Sequence, residues 1–320
     1  MNQLDIKNDV LLFYRKHQYD FPDANSNRTI SGFYSWYLRL VKGLKIKGFN
    51  VVENNFNLAK QNPDYPVGLV GTSIALKNWD LPNPVILGPS MYDHPRLNPN
   101  LMKDKRFDKY LFTCQWLLDV FKPFYGNKCA LWYAGIEIDK WIDAKKSHKD
   151  IDVLIYNKLR WTKNVKQQLL LDPIKADLDN RGFNYYILNY GNISHEQYMD
   201  LLKRSRTMIF LCEHETQGMA YQEALSMNVP VLAWDPGYWV DPMWEIFSEK
   251  PVKSTSVPQF SDKCGLRFAK IFNYKDTFDK FWNDKDKYKP RKFVQNNLSL
   301  EKSAEIYYSY YLSSFNNRKK

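Results

Sequence analysis

Short apolar runs alternate with longer amphipathic stretches along most of this chain, and that rhythm admits few architectures other than parallel βαβ units. In the first half the runs are DVLLFY (9–14), FNVVEN (49–54), VGLVG (67–71), PVILG (84–88), YLFTC (110–114) and CALWYA (129–134). In the second half they are IDVLIY (151–156), FNYYIL (183–188), TMIFLC (207–212) and VPVLAW (229–234). Each is bounded by turn or charged residues and is predicted to be a buried strand. Helices are predicted at 32–48, 164–180, 195–204, 217–227 and, in an aromatic tail, 300–314, with the polar stretch 20–29 as coil. The expected fold class is α/β, built from two Rossmann-like parallel sheets.

A chain of 320 residues exceeds the size at which one hydrophobic core stops growing, so two domains are expected, a single barrel being the alternative. The segment AKKSHKD (144–150) is charged and lacks apolar periodicity, which puts the boundary there. The division expected is 1–148, then 149–295, with 296–320 as a terminal helix packing back toward the first domain.

Lysine and arginine outnumber aspartate and glutamate by 46 to 35, a net charge of +11. That excess suits anionic partners such as nucleotides, acidic glycans, phospholipid surfaces or nucleic acid, and equally a lysine-rich solvated surface. Cys114, Cys129, Cys212 and Cys264 are far apart, with no zinc-site spacing, which fits a reduced compartment. The first residues carry charge too early for a secretory signal, and no segment approaches the length of a membrane span. A cytoplasmic protein is expected, with contact to the inner face of an anionic membrane left open.

The stretch CEHETQGMAYQEALSMNVPVLAW (212–234) holds the densest chemistry. Glu215 follows a strand, and Gly218 stands where the next helix should begin, at the carboxyl edge of a parallel sheet where ligands bind. Backbone N–H groups at Gly218, Met219 and Ala220 would face an anion or sugar oxygens there. Glu223 lies eight residues after Glu215, about 80° beyond two helical turns, on nearly the same face. A solvated pair of glutamates is the common reading of that spacing.

The same stretch resembles the Glu-x7-Glu element of retaining glycosyltransferases of the GT-B fold, glycosyltransferase family 4. The matching positions are Glu215, Gly218, Glu223, Ala224, Leu225, Pro230 and Val231, although Thr-Gln-Gly-Met-Ala replaces the usual Gly-rich turn. In that family the first glutamate and the turn amides contact the donor sugar and phosphate, and the second glutamate holds the ribose. An Arg at the end of the first C-terminal strand and a Lys five residues on bind the diphosphate. Here VLIYNKLRWTK offers Lys158 and Lys163, with Arg160 as a substitute for the arginine. Looser likenesses are Gly32 before the first long helix, a histidine in the region of His94 that touches donor hydroxyls, and the segment ending at Glu137.

The resemblance implies two domains facing across a cleft, an acceptor-side N-terminal domain and a nucleotide-sugar-binding C-terminal one. It implies a nucleotide-diphosphate sugar as donor, transfer to an acceptor hydroxyl with retention, no obligatory metal, and catalytic roles for Glu215 and His94. The acceptor classes are a saccharide, a lipid-linked saccharide or DNA. Alternatives are a phage-type enzyme glycosylating modified bases in DNA, a nucleotide-sugar epimerase, and a non-catalytic nucleotide-sugar-binding protein. Asp150-Ile-Asp152 and Asp284-Lys-Asp286 spell metal-binding strings but read as solvated charges. No P-loop and no dinucleotide fingerprint occurs.

Overall fold

The computed structural model describes residues 4–17, 20, 31–161, 163–191, 193–247 and 250–318, so the coil expected at 20–29 lies, apart from Asp20, outside the described residues. The described residues up to Gly135 and those from Leu298 onward form one compact unit, and Ile136–Asn297 form a second.

The first unit is built on six parallel strands, β1 (Asp9–Tyr14), β2 (Asn50–Glu53), β3 (Val67–Val70), β4 (Val85–Leu87), β5 (Phe107–Phe112) and β6 (Cys129–Leu131), in the order β2-β1-β3-β4-β5-β6. Val10, Leu11, Leu12, Val67 and Val85 are fully buried, as strands covered on both faces require. β5 begins earlier than the sequence suggests and ends at Phe112, because Cys114 becomes the N-cap of the helix Gln115–Tyr125.

The terminal helix Leu300–Arg318 belongs to this unit through hydrogen bonds rather than apolar contact alone. The Tyr311 hydroxyl, fully buried, accepts the N–H of Leu11 at 2.8 Å and donates to the carbonyl of Pro66 at 2.5 Å. Trp132 donates its indole N–H to the carbonyl of Ser303 at 3.1 Å. Gly43, in the helix Gly32–Ile46, has no room for a Cβ because the Leu300 carbonyl lies there.

The second unit has five parallel strands, β7 (Ile151–Lys158), β8 (Tyr185–Asn189), β9 (Ser205–Cys212), β10 (Val231–Trp234) and β11 (Gly265–Phe268), in the order β11-β10-β9-β7-β8. The sequence suggests four of them. β11 is a four-residue edge strand in which buried Gly265 and Phe268 flank less buried Leu266 and exposed Arg267, too short and too mixed to show as a run. Gly265 is obligatory, since a Cβ there would collide with the Val231 backbone.

Val153, Ile155, Ile209, Leu211 and Leu232 pack on Ile174, Leu178 and Phe278 to form the core of this unit. The first crossover starts with the helix Lys163–Lys166, passes through a π-helical turn at Gln167–Leu171, and continues as the helix Asp172–Asn180. Pro173 supplies no N–H to the carbonyl four residues back, and a wider turn there accommodates the loss.

Tyr311→Phe should strand the Leu11 N–H in the interior at a cost of about 1–3 kcal/mol. Thermal unfolding should show a midpoint lowered by several degrees, whereas Ser309→Ala, on the exposed face of the same helix, should leave it unchanged.

Candidate functional site

Within the second sheet the chain leaves β7 for β8 on one side and later returns to β9 on the other, so the crossovers diverge between β7 and β9. A crevice opens at the carboxyl ends of such a strand pair. Lys158, the last residue of β7, lies in register with Cys212, the last of β9, and Glu213, His214 and Glu215 follow.

Lys158 and Glu215 form an ion pair across this point, their side chains 13% and 12% exposed. Burial works against the ammonium, but the Glu215 carboxylate prevails and holds Lys158 protonated above the ordinary lysine range. The ammonium also stands 4.5 Å from the centroid of the Tyr190 ring. Glu215 is anchored from behind, its backbone N–H donating to the Thr255 carbonyl at 3.0 Å.

Glu213, which sequence reasoning missed, is 1% exposed. Its carboxylate accepts the backbone N–H of Arg160 and of Trp161, each at 3.1 Å, and so fixes the loop that leaves β7. A charged group in that position gains the strength of charge-assisted bonds while occupying two donors that a turn would otherwise leave bare.

The expected helix begins at Met219, with Gly218 as its N-cap in the left-handed region at φ +76°. A side chain at 218 would run into the Tyr221 ring, and no side chain caps the helix. Glu223 is 3% exposed. Burial chiefly pushes the Tyr156 hydroxyl above its usual range, and Glu215 and Glu223 both add to that shift, so both carboxylates act on one phenol. Glu223 is thus withdrawn from bulk water within the helix that starts behind Gly218, and Glu215 is held in its ion pair with Lys158.

The cations divide differently from the expectation. Arg160 is exposed, its guanidinium 5.2 Å from the Trp161 ring centroid. Lys163 is exposed at the start of its short helix. Lys166, one turn on and missed by sequence reasoning, is partly buried with its ammonium 4.5 Å from the Trp234 ring centroid. Burial lowers its pKa, and Glu213 works in the opposite direction. His214 is held down to about 4 by burial first, then by Arg160, Lys158 and Lys166. Lys158, Arg160 and Lys166 thus all bear on His214 at the switch between β7 and β9, beside the carboxylates of Glu213 and Glu215.

Gly32 and His94 belong to the first unit. Gly32 opens the helix Gly32–Ile46 behind the N-cap Ser31, and a Cβ there would meet nothing within 4 Å. His94 is buried, and its Nδ1 accepts the N–H of Arg96 at 3.0 Å, which places the ring proton on Nε2. Burial, with Arg96 second, lowers its pKa, so it is a neutral imidazole. Asp150 and Asp152 are spent on Arg204 and Arg206, and Asp284 and Asp286 on Lys287 and Lys285. Among the described residues no group of three or more His, Cys, Asp or Glu converges to hold a metal.

As pH falls through 6.5 the unfolded chain protonates His214, while the folded chain resists until about 4, so stability should drop across that window by at most about 3 kcal/mol. Melting temperatures from pH 7 to 4 should fall less steeply for His214→Gln than for the unsubstituted protein, and parallel curves would remove His214 as the cause.

No family model matches this sequence, and no curated protein matches it. Solved structures do. AviGT4, a glycosyltransferase involved in avilamycin A biosynthesis, superposes with a TM-score of 0.56 at 11% identity over 97% of this chain and 98% of that one. The catalytic domain of starch synthase IV from Arabidopsis thaliana, bound to ADP and acarbose, gives 0.56 at 10% identity over 97% and 99%. Sucrose-phosphate synthase from Thermosynechococcus elongatus gives 0.55 at 10% over 97% and 100%. At such identities the likeness is one of fold, and with its two doubly wound parallel sheets the chain has the GT-B fold of those glycosyltransferases.

Proposed function

We propose that the protein is a glycosyltransferase that moves a sugar from a nucleoside-diphosphate sugar to an acceptor hydroxyl with retention of configuration. The observation that carries the reading is the Lys158–Glu215 ion pair at the carboxyl ends of β7 and β9, with Glu223 buried in the helix that follows, inside a fold shared with an ADP-bound starch synthase.

In the reaction the bond from the anomeric carbon to the diphosphate oxygen breaks, its electron pair stays with the leaving nucleoside diphosphate, and the acceptor oxygen bonds to the same carbon. The leaving group gains charge as the bond breaks, and preorganised cations stabilise that state more than the ground state. Lys158 and Lys166, with Arg160 at the rim, are assigned this work, aided by the amides of Gly218, Met219 and Ala220. Lys163 is left a secondary part, because it is exposed in the short helix that carries Lys166. Glu215 is assigned the sugar hydroxyls and Glu223 the ribose. His94, being neutral, is suited to hydrogen bonding and not to balancing charge. Retention rests on the resemblance of the Glu215-to-Glu223 element to the retaining family, and no protein nucleophile is assigned.

A panel of nucleotide sugars should contain one that raises the melting temperature and is slowly hydrolysed, which identifies base and sugar together. With that donor, Glu215→Gln should reduce turnover at least a hundredfold while nucleoside diphosphate binding changes less than tenfold. Lys158→Met should weaken diphosphate binding about ten- to a hundredfold. Because it also leaves Glu215 buried and unpaired, the double variant Lys158→Met, Glu215→Gln serves as the folding control. A panel that gives neither stabilisation nor hydrolysis would count against the proposal.

A further inference from the structure

The second sheet has a charged cavity at its other end. β7 is eight residues long, so its two ends stand about 25 Å apart. At the amino-terminal end, Lys149 precedes β7, Arg206 is the second residue of β9, and Pro230 precedes β10. These residues, with Lys145, Lys285, Asp286 and Tyr288, line a cavity of about 120 Å³. Four cations face one carboxylate there.

The cations are positioned rather than merely solvated. Lys149 donates to the carbonyls of Lys203 and Ser205, both at 2.8 Å, and its third N–H has no partner among the described residues. Arg206 is held by Asp152 at 3.1 Å and by the Lys149 carbonyl at 3.2 Å. Lys285 rests 4.7 Å from the Trp282 ring centroid, 3.3 Å from the Trp282 carbonyl and 3.7 Å from Asp286. Burial, then Arg206, lowers Lys149 to about 8, with Asp143 opposing. An anion entering the cavity would relieve that strain.

We propose that this cavity binds a small anion of the phosphate class, as a site separate from the one at the carboxyl end of β7 and β9. A cavity of that volume holds several waters and so has room for one phosphate group between these side chains. The bound phosphate would take the third N–H of Lys149 and share the field of Arg206, Lys285 and Lys145. Free phosphate, a small phosphomonoester and a phospholipid headgroup present the same chemistry.

Calorimetric titration of the full chain with inorganic phosphate tests the proposal. Binding should survive Lys158→Met and weaken at least tenfold in Lys149→Gln and in Lys285→Gln. The second variant guards against loss of fold, because Lys285 makes no bridge between strands. Above about pH 8, where phosphate is already the dianion, affinity should fall as Lys149 gives up its proton. The other charged groups that face it are Arg206, Lys145, Lys285, Asp143, Asp152 and Asp286. Sedimentation with phosphatidate vesicles separates the sources: association that Lys149→Gln abolishes favours a headgroup, and phosphate binding without association favours a free ligand. Phosphate binding that is absent at millimolar concentration, indifferent to Lys149→Gln and Lys285→Gln, or lost only in Lys158→Met, overturns the site. The last outcome would leave the proposed transferase reading intact, and failure of the donor panel would leave this site intact.

Discussion

Lys158 and Glu215 close the gap between the ends of the two central strands of the second sheet, and the arrangement of the candidate site follows from that pair. Removing two charges from water is costly, and their attraction seldom returns more than it takes, so such a pair is a poor device for stability. Its value is positional. Glu213 supplies the second constraint, tying the backbone after Lys158 to the end of β9. With both in place the lysine, its loop and the two glutamates have little freedom to rearrange, and a ligand would meet charges already oriented.

Much of the fold was legible because buried parallel strands have to be continuous apolar runs. DVLLFY and the helix at 195–204 occur with the bounds read from the sequence, and most other strands differ by a residue or two. What escaped was marginal in composition. β11 alternates small, apolar and charged residues over four positions and gains its strand character from pairing with β10, which no local pattern announces.

The candidate site was legible in part for a related reason. Glu215, Gly218 and Glu223 occupy a turn and one helix face, so their relation is set by short-range geometry. Glu213 and Lys166 depend on which loops meet in space. A signal for Glu213 did exist: a glutamate directly following the buried apolar run MIFLC calls for a partner, and the loop after the neighbouring strand was the place to look. For Lys166 the signal was weaker, since the count of five residues from Lys158 pointed to Lys163, and only the helix starting at Lys163 shows which of the two lies against Trp234. The net charge also proves coarse, since one cluster of cations sits at each end of the second sheet.

Because Leu300–Arg318 hydrogen-bonds to β1 and β6 neighbours at Leu11 and Trp132, the first unit is discontinuous, and the whole second unit is an insertion into it. During synthesis the six-stranded sheet is translated by residue 131 but lacks its covering helix until the final residues emerge. At 5–20 residues per second, that delay is on the order of ten to forty seconds. For that interval the surface of β1 and β3 beneath Tyr307 and Tyr311 is uncovered, whereas the inserted unit has every strand it needs once Phe268 has been made. The later-born half of this chain can therefore finish folding before the earlier-born half.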